Sequence, residues 1–177
     1  MKLLLASASP RRRELLAPIC PFEVEISRFD EADEGSAEET VLKNARGKAL
    51  EVLGRFPDRV VLGADTAVAL NGVILGKPKD AEDAKRMLRF LSGKTHSVFT
   101  GVCLADKYGV TERVVETKVL FKELSEETIK SYVSSGAPLD KAGAYGIQDG
   151  VVVKSYEGSY SNVMGLPTET VKEMLAK

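Results

Sequence analysis

A chain of 177 residues, 44% hydrophobic and 29% charged, has the balance of a globular protein with one substantial core or two small lobes sharing one, and residues 1–177 read as a single unit. Twenty-five Lys and Arg against 26 Asp and Glu leave a formal charge of -1, which excludes bulk attraction to nucleic acid or to an anionic membrane, so any basic site must be local. Cys20 and Cys103 match no metal-ligand spacing and suit a reducing compartment as apolar fillers.

The apolar run after Lys2 ends at about five residues where a secretory signal needs about 7 to 15, and no segment approaches the roughly 18 of a spanning helix. The expected location is therefore the cytosol, with no membrane partner. Leu3 to Ala6 reads as a buried strand, and Ser9 as N-cap with Pro10 at the first helical position starts a helix through about Pro18. Phe22 to Ile26 alternates apolar and polar as a strand with one buried face. An acidic loop, Asp30 to Gly35, follows. Ser36 and Glu39 form a capping box before a helix whose Leu42, Ala45, Ala49, Val52 and Leu53 share a face, with Gly54 as its stop.

Val60 to Ala64 is a short apolar run for a central strand ending at Asp65-Thr66. Ala67 to Leu70 and Val73 to Leu75 then flank the hairpin turn Asn71-Gly72. Asp80 caps a helix with Ala84, Met87, Leu88 and Leu91 on one face, ending near Gly93. Thr95 to Lys122 is two antiparallel strands broken at Asp106 to Gly109, and Ser125 caps a helix to about Ser134. A glycine-containing loop, 136–150, leads to the strand Val151 to Tyr156, and Thr168 caps a last helix. Mixed hairpins and helices argue an α/β or α+β sheet with helices on its faces.

Arg11, Arg12 and Arg13 stand at a helix start, where the dipole opposes a cation by about 0.3 to 1 kcal/mol each. That cost makes sense if an anion binds there, so Ser7, Ser9, the free N–H groups and the guanidinium forks form a candidate phosphate cradle. Asp65, at the expected end of a buried strand, either caps a turn or marks a site. Glu31, with Asp30 and Asp33, is either a solvated loop acid or, paired with Asp65, an oxygen ligand for a hard divalent cation. Lys48 lies at the margin of the apolar arc, its stem covered while the ammonium reaches out, and Lys77 sits in a stiff Gly-Lys-Pro loop. His96 has no partner motif and is assigned no chemistry. The chain has no Walker glycine loop and no GxGxxG.

Leu5 to Leu16, Gly63-Ala64-Asp65-Thr66, Gly76-Lys77-Pro78, Met87-Leu88, Leu91 to Val98, Asp140 to Gln148 and Val163 to Pro167 together resemble the Maf-type nucleoside triphosphate pyrophosphatases, in family order and over essentially the whole chain. The resemblance implies an ITPase-like (Maf/Ham1) α/β fold, a mixed twisted central sheet with flanking helices and two lobes around a cleft. It implies hydrolysis of a triphosphate between its α and β phosphates with Mg²⁺ or Mn²⁺, house-cleaning of the nucleotide pool, and a homodimer. The competing expectation is a nucleotide-binding regulator of septum formation.

Carried over by position, Asp65 matches the proton acceptor, and Ser7, Arg12, Glu31, Lys48 and Lys77 the polar site residues. Glu31 and Asp65 are the implied metal ligands. Arg11, Thr66 and Gln148 match the discriminating positions of the dTTP and UTP subgroup. After Gln148 only Asp149-Gly150 precede Val151, where the family shows a longer stretch, so that loop is expected to be tightened.

Overall fold

The computed structural model describes residues 3–177. Strand β1 (Leu3–Leu5) is buried along its length and pairs in parallel on both sides, with β2 (Phe22–Val24) through Leu4↔Glu23 and with β3 (Val61–Leu70) through Leu4↔Val61. The strand order is β2-β1-β3-β5-β6-β7, with β4 (Val73–Leu75) on β3. β5 (Thr95–Asp106) and β6 (Gly109–Phe121) are neighbours joined through Lys107-Tyr108, and β7 (Val153–Glu157) is antiparallel to β6. Parallel and antiparallel pairs together make the mixed sheet that the sequence predicts. The helices are α1 (Pro10–Leu16), α2 (Ala37–Arg55), α3 (Ala81–Leu91), α4 (Glu126–Ser134), α5 (Tyr160–Met164) and α6 (Thr168–Leu175).

Residues pack into two units, each discontinuous in sequence. The first comprises Met1–Thr66, Thr100–Val115 and Gly165–Lys177. A strand buried on both faces reads as a continuous apolar run because alternate residues serve different cores. Leu3 and Leu5 join Leu16, Leu62, Ala64, Val102, Leu166 and Val171, whereas Leu4 and Ala6 join Ala45, Ala49, Val52, Val61 and Cys103. So α1 and α6 cover one face and α2 the other. The α2 backbone lies against the strands: a Cβ at Gly63 would sit 2.2 Å from the Ala45 carbonyl oxygen, and one at Gly101 2.4 Å from that of Val41.

The second unit comprises Ala67–Phe99 and Glu116–Met164. Its core gathers Val68, Leu70 and Leu75 of the β3–β4 hairpin with Met87, Leu88 and Leu91 of α3, Phe121, Ile129 and Tyr145. Asn71 and Gly72 both take left-handed φ, 52° and 76°, as a two-residue hairpin turn of that handedness requires.

Several boundaries differ from expectation. β3 runs unbroken through Asp65 and Thr66, because pairing of Val68 and Ala69 with β4 extends the strand past the polar residues. Gly54 lies inside α2, which continues to Arg55 with Phe56 at its end. Pro167 takes the N-cap position of α6 and makes no side-chain cap, and Thr168 is the first helical residue. β2 stops at Val24, α1 at Leu16, and β7 begins at Val153. The helix α5 is not anticipated, although Ser159 just before it supplies a cap, its Oγ accepting from the Asn162 N–H at 3.1 Å, and the 136–150 loop contains three short 3-10 turns.

Candidate active site

The first unit gathers Ser7, Arg12, Glu31, Lys48, Asp65 and Thr66 around the end of β1 and the middle of β3. Ser9 caps α1, its Oγ accepting from the Arg12 backbone N–H at 3.4 Å. That fixes the first turn and turns the Arg12 side chain inward. Its Nε donates to the Gly165 carbonyl oxygen (2.7 Å), Nη1 to Ser7 Oγ (3.3 Å) and Nη2 to Thr66 Oγ1 (3.1 Å). Thr66 Oγ1 in turn lies 2.9 Å from Thr100 Oγ1. Burial lowers the Arg12 pKa from its ordinary value, the negative fields of Asp65 and Glu31 oppose that, and Arg11 adds to the lowering. Arg12 is thus held as a rigid cation, with Arg11 half-buried beside it and Arg13 exposed.

Strand parity sends the next carboxylate to the opposite face. Val61 and Gly63 face α2, so Asp65 does too. Lys48 Nζ lies 3.0 Å from Asp65 Oδ1 and 2.6 Å from Glu31 Oε1, and reaches the Ala64 carbonyl oxygen at 3.5 Å. Its side chain is 11% exposed and that of Asp65 13%, whereas Glu31 is 58% exposed. The expectation that the ammonium reaches out from the margin of the arc is therefore corrected. The buried stripe of α2 runs through Val41, Asn44, Ala45, Lys48, Ala49 and Val52, and two carboxylates draw the ammonium inward.

Asn44, one turn before Lys48, donates from Nδ2 to Asp65 Oδ2 at 3.0 Å. The same amide holds the acidic loop, accepting from the Ala32 N–H at 2.8 Å and donating to the Ala32 carbonyl at 2.9 Å. The loop runs back along α2, fastened at successive turns. The Phe29 ring lies over Gly47, where a Cβ would come within 2.3 Å of it. Thr40 Oγ1 donates to the Glu34 carbonyl at 3.1 Å, and the Ser36–Glu39 capping box closes the series. Glu31 is aimed at Lys48 because the residue after it is clasped in this way.

Neither Asn44 nor Thr100 is singled out by the sequence reading. A polar residue inside an apolar helical arc, four before Lys48, is the signal that points to Asn44; Thr100, one of many Thr in β-rich sequence, offers none.

Among the described residues no group of three or more His, Cys, Asp or Glu side chains could hold a metal ion, and Asp30 and Asp33 do not join the pair. Glu31 and Asp65 nonetheless fit a hard cation that takes most of its coordination from water and substrate phosphate. Both are oxygen donors engaging one ammonium, and a carboxylate retains lone pairs beyond those used here.

Lys77 and Gln148 belong to the second unit, both exposed. Gly143 N–H donates to the Gly76 carbonyl at 3.1 Å, tying the Lys77 loop to the 136–150 segment that carries Gln148. His96 is buried, with its Nε2 2.8 Å from the Tyr145 hydroxyl. Cys103 is buried and Cys20 half-buried, both as free thiols, and burial pushes the Cys103 pKa up to about 12.

A mixed α/β sheet bearing an inward-turned arginine at its first helix and a lysine-bridged carboxylate pair has the fold of the solved Staphylococcus aureus Ham1 protein. The two superpose with a TM-score of 0.54 at 16% identity, over 99% of this chain and 98% of that one. The family model described as Maf-like protein matches residues 2–177, and the chain belongs to that family. Relatives named dTTP/UTP pyrophosphatase include those of Myxococcus xanthus (53% identical, covering 96% of this chain and 89% of the relative) and Escherichia coli O157:H7 (49%, 98% and 91%). A third, from Pyrococcus furiosus, is 44% identical over 98% of this chain and 94% of its own length.

Proposed function

We propose that the chain hydrolyses dTTP and UTP to the monophosphate and pyrophosphate, removing surplus or modified pyrimidine nucleotides. The observation that carries this is the seating of Asp65, a carboxylate held on both oxygens by Lys48 and Asn44, in a chain similar over nearly its full length to dTTP/UTP pyrophosphatases. Cleaving a phosphoric anhydride calls for charge neutralisation and in-line positioning more than for a covalent intermediate. A triphosphate brings about -4, which Arg12 and Lys48, with Ser7 as a hydroxyl partner, are suited to meet; Lys77 adds a further phosphate-binding cation.

Asp65 acts as general base. It takes a proton from the attacking water as the new P–O bond forms at the α phosphorus, and the electron pair of the broken anhydride bond leaves on pyrophosphate. Mg²⁺ or Mn²⁺ held by Glu31 and Asp65 supplies further charge neutralisation at the phosphates when bound. Lys48, already between the two carboxylates, keeps them from repelling one another before substrate arrives.

Arg11, Thr66 and Gln148 select the pyrimidine. Uracil and thymine differ by one methyl group, worth only about 1 to 3 kcal/mol in a pocket, so both are accepted. Incubation with UTP, dTTP, CTP and a purine panel in Mg²⁺, with pyrophosphate and orthophosphate measured separately, tests the reading. Pyrophosphate from UTP and dTTP is expected, and orthophosphate as the sole product overturns it. A cytosolic homodimer completes the proposal, checked by sedimentation and cell fractionation.

A further inference from the structure

The short turn that presents Gln148 hangs from one phenol. Tyr132, on the buried face of α4 with Ile129 and Val133, accepts the Gly146 N–H on its Oη at 2.9 Å and donates to Asp149 Oδ2 at 2.5 Å. Those two bonds seize the first and last residues of the segment 146–149, whose own closure is Asp149 N–H to the Gly146 carbonyl at 3.1 Å. Gly146 leaves no slack: a Cβ there would lie 2.9 Å from Asp149 Oδ2 and 3.1 Å from Gln148 Cδ. Ile147 is buried, so Gln148 is the residue of this turn turned to solvent between two fixed neighbours. Burial, then the bond to Asp149, raises the Tyr132 pKa, which keeps the proton on the phenol as the donor that this arrangement requires.

We propose that Tyr132 is a positioning residue for base selection, clamping Gly146 and Asp149 so that Gln148 offers its amide from one place. This rests on the functional reading above. The chemistry makes that placement decisive. Uracil and thymine present an acceptor at position 4 where cytosine presents an amino donor, and an amide has an acceptor at one end and a donor at the other. An amide whose Cδ lies over Gly146, on a turn held at both ends, meets the base edge from one place, where one donor–acceptor pairing fits better than its reverse, whereas a loose turn lets it shift to serve both. A clamp built from the neighbours of Gln148, rather than from contacts to the base, is what such selectivity needs.

The test compares the wild type with Tyr132→Phe, which removes one oxygen and leaves the ring in its core, and with Asp149→Ala and Asp149→Asn. Steady-state pyrophosphate release is measured with UTP and with CTP, and hydrogen exchange at the Gly146 amide by NMR. Tyr132→Phe is expected to lower the UTP-over-CTP ratio of kcat/KM by about tenfold or more. The loss should fall on KM for UTP, with faster exchange at Gly146. Asp149→Ala should move the same way, and Asp149→Asn, whose Oδ1 still accepts from the phenol, should restore the ratio.

A ratio within twofold of wild type in Tyr132→Phe while Gly146 exchange accelerates would overturn the proposal, as would unchanged exchange. If the wild type releases pyrophosphate from no triphosphate, the functional reading fails and base selection with it. The exchange measurement then still reports whether the phenol holds the turn, so the two failures are told apart.

Discussion

Lowering the pH from 7.5 to 5 should destabilise this protein through a single side chain. His96 is the one histidine of the chain. It is buried against Phe121 and Tyr145, ring centroids 4.9 and 5.4 Å away, and its Nδ1 has no hydrogen-bond partner among the described residues. Burial pushes its pKa down from 6.5 to about 4. With the folded value below the unfolded one, the unfolded chain binds the proton first. The neutral ring contributes its full stability above pH 6.5, and that contribution is lost as the pH falls from 6.5 through about 4. At pH 5 the unfolded histidine is almost wholly protonated and the folded one almost wholly neutral, a difference of about 2 kcal/mol.

For a domain of this size that amounts to a fall in Tm of about 4 to 8 °C. The assay is urea denaturation at pH 7.5 and pH 5 for the wild type and for His96→Gln, whose amide can still bond the Tyr145 hydroxyl. The wild type should lose about 2 kcal/mol more than the variant over that interval. Equal losses would show that His96 accepts a proton in the folded state near its ordinary pKa and that the burial argument fails. Glu51, Asp83 and Glu126 do not confuse the result, since hydrogen bonds to Arg28, Lys79 and Arg89 respectively lead the causes that move their pKa values down, away from the window.

Asp65→Asn is expected to reduce pyrophosphate release by about 10² to 10⁴-fold with the circular dichroism spectrum retained, and near-normal turnover would remove Asp65 from the mechanism. Asn44→Asp keeps an acceptor for the Ala32 N–H but leaves the Ala32 carbonyl and Asp65 Oδ2 without their donor and sets a second acid beside Asp65. A loss of about 1 to 3 kcal/mol in urea denaturation at pH 7.5 is expected, and a loss below about 0.5 would show that the amide is not buried in the way described. Gly101→Ala would bring a Cβ to 2.4 Å from the Val41 carbonyl oxygen, helix backbone that cannot rotate away. It should cost about 1 to 3 kcal/mol, read as a fall in Tm, and an unchanged Tm would mean that α2 is free to lift from the sheet.

Much of the secondary structure is legible in the chain because its signals are local. Ser9, Ser36, Asp80 and Ser125 each cap the helix that the sequence starts at them, since a side-chain oxygen needs only the N–H three residues on. Asn71-Gly72 makes its hairpin for the same reason: the left-handed backbone is decided by the two residues themselves. The site residues carried by the family resemblance are also present as quoted, and seven of them lie in the first unit.

What the sequence could not determine is where those residues point. Asp65 reads as the end of a short strand, yet the partner strand β4 prolongs β3 through it, and only strand parity under α2 turns its carboxylate toward Lys48 and Asn44. Lys48 reads as a surface lysine, and two acids from distant segments make its burial tolerable. Local chemistry is settled by neighbours three or four residues away and is written in the sequence by itself. The face, depth and partners of a charged side chain depend on groups 17 residues away, as between Lys48 and Asp65, or 153 away, as between Arg12 and Gly165, and only the tertiary structure brings those together.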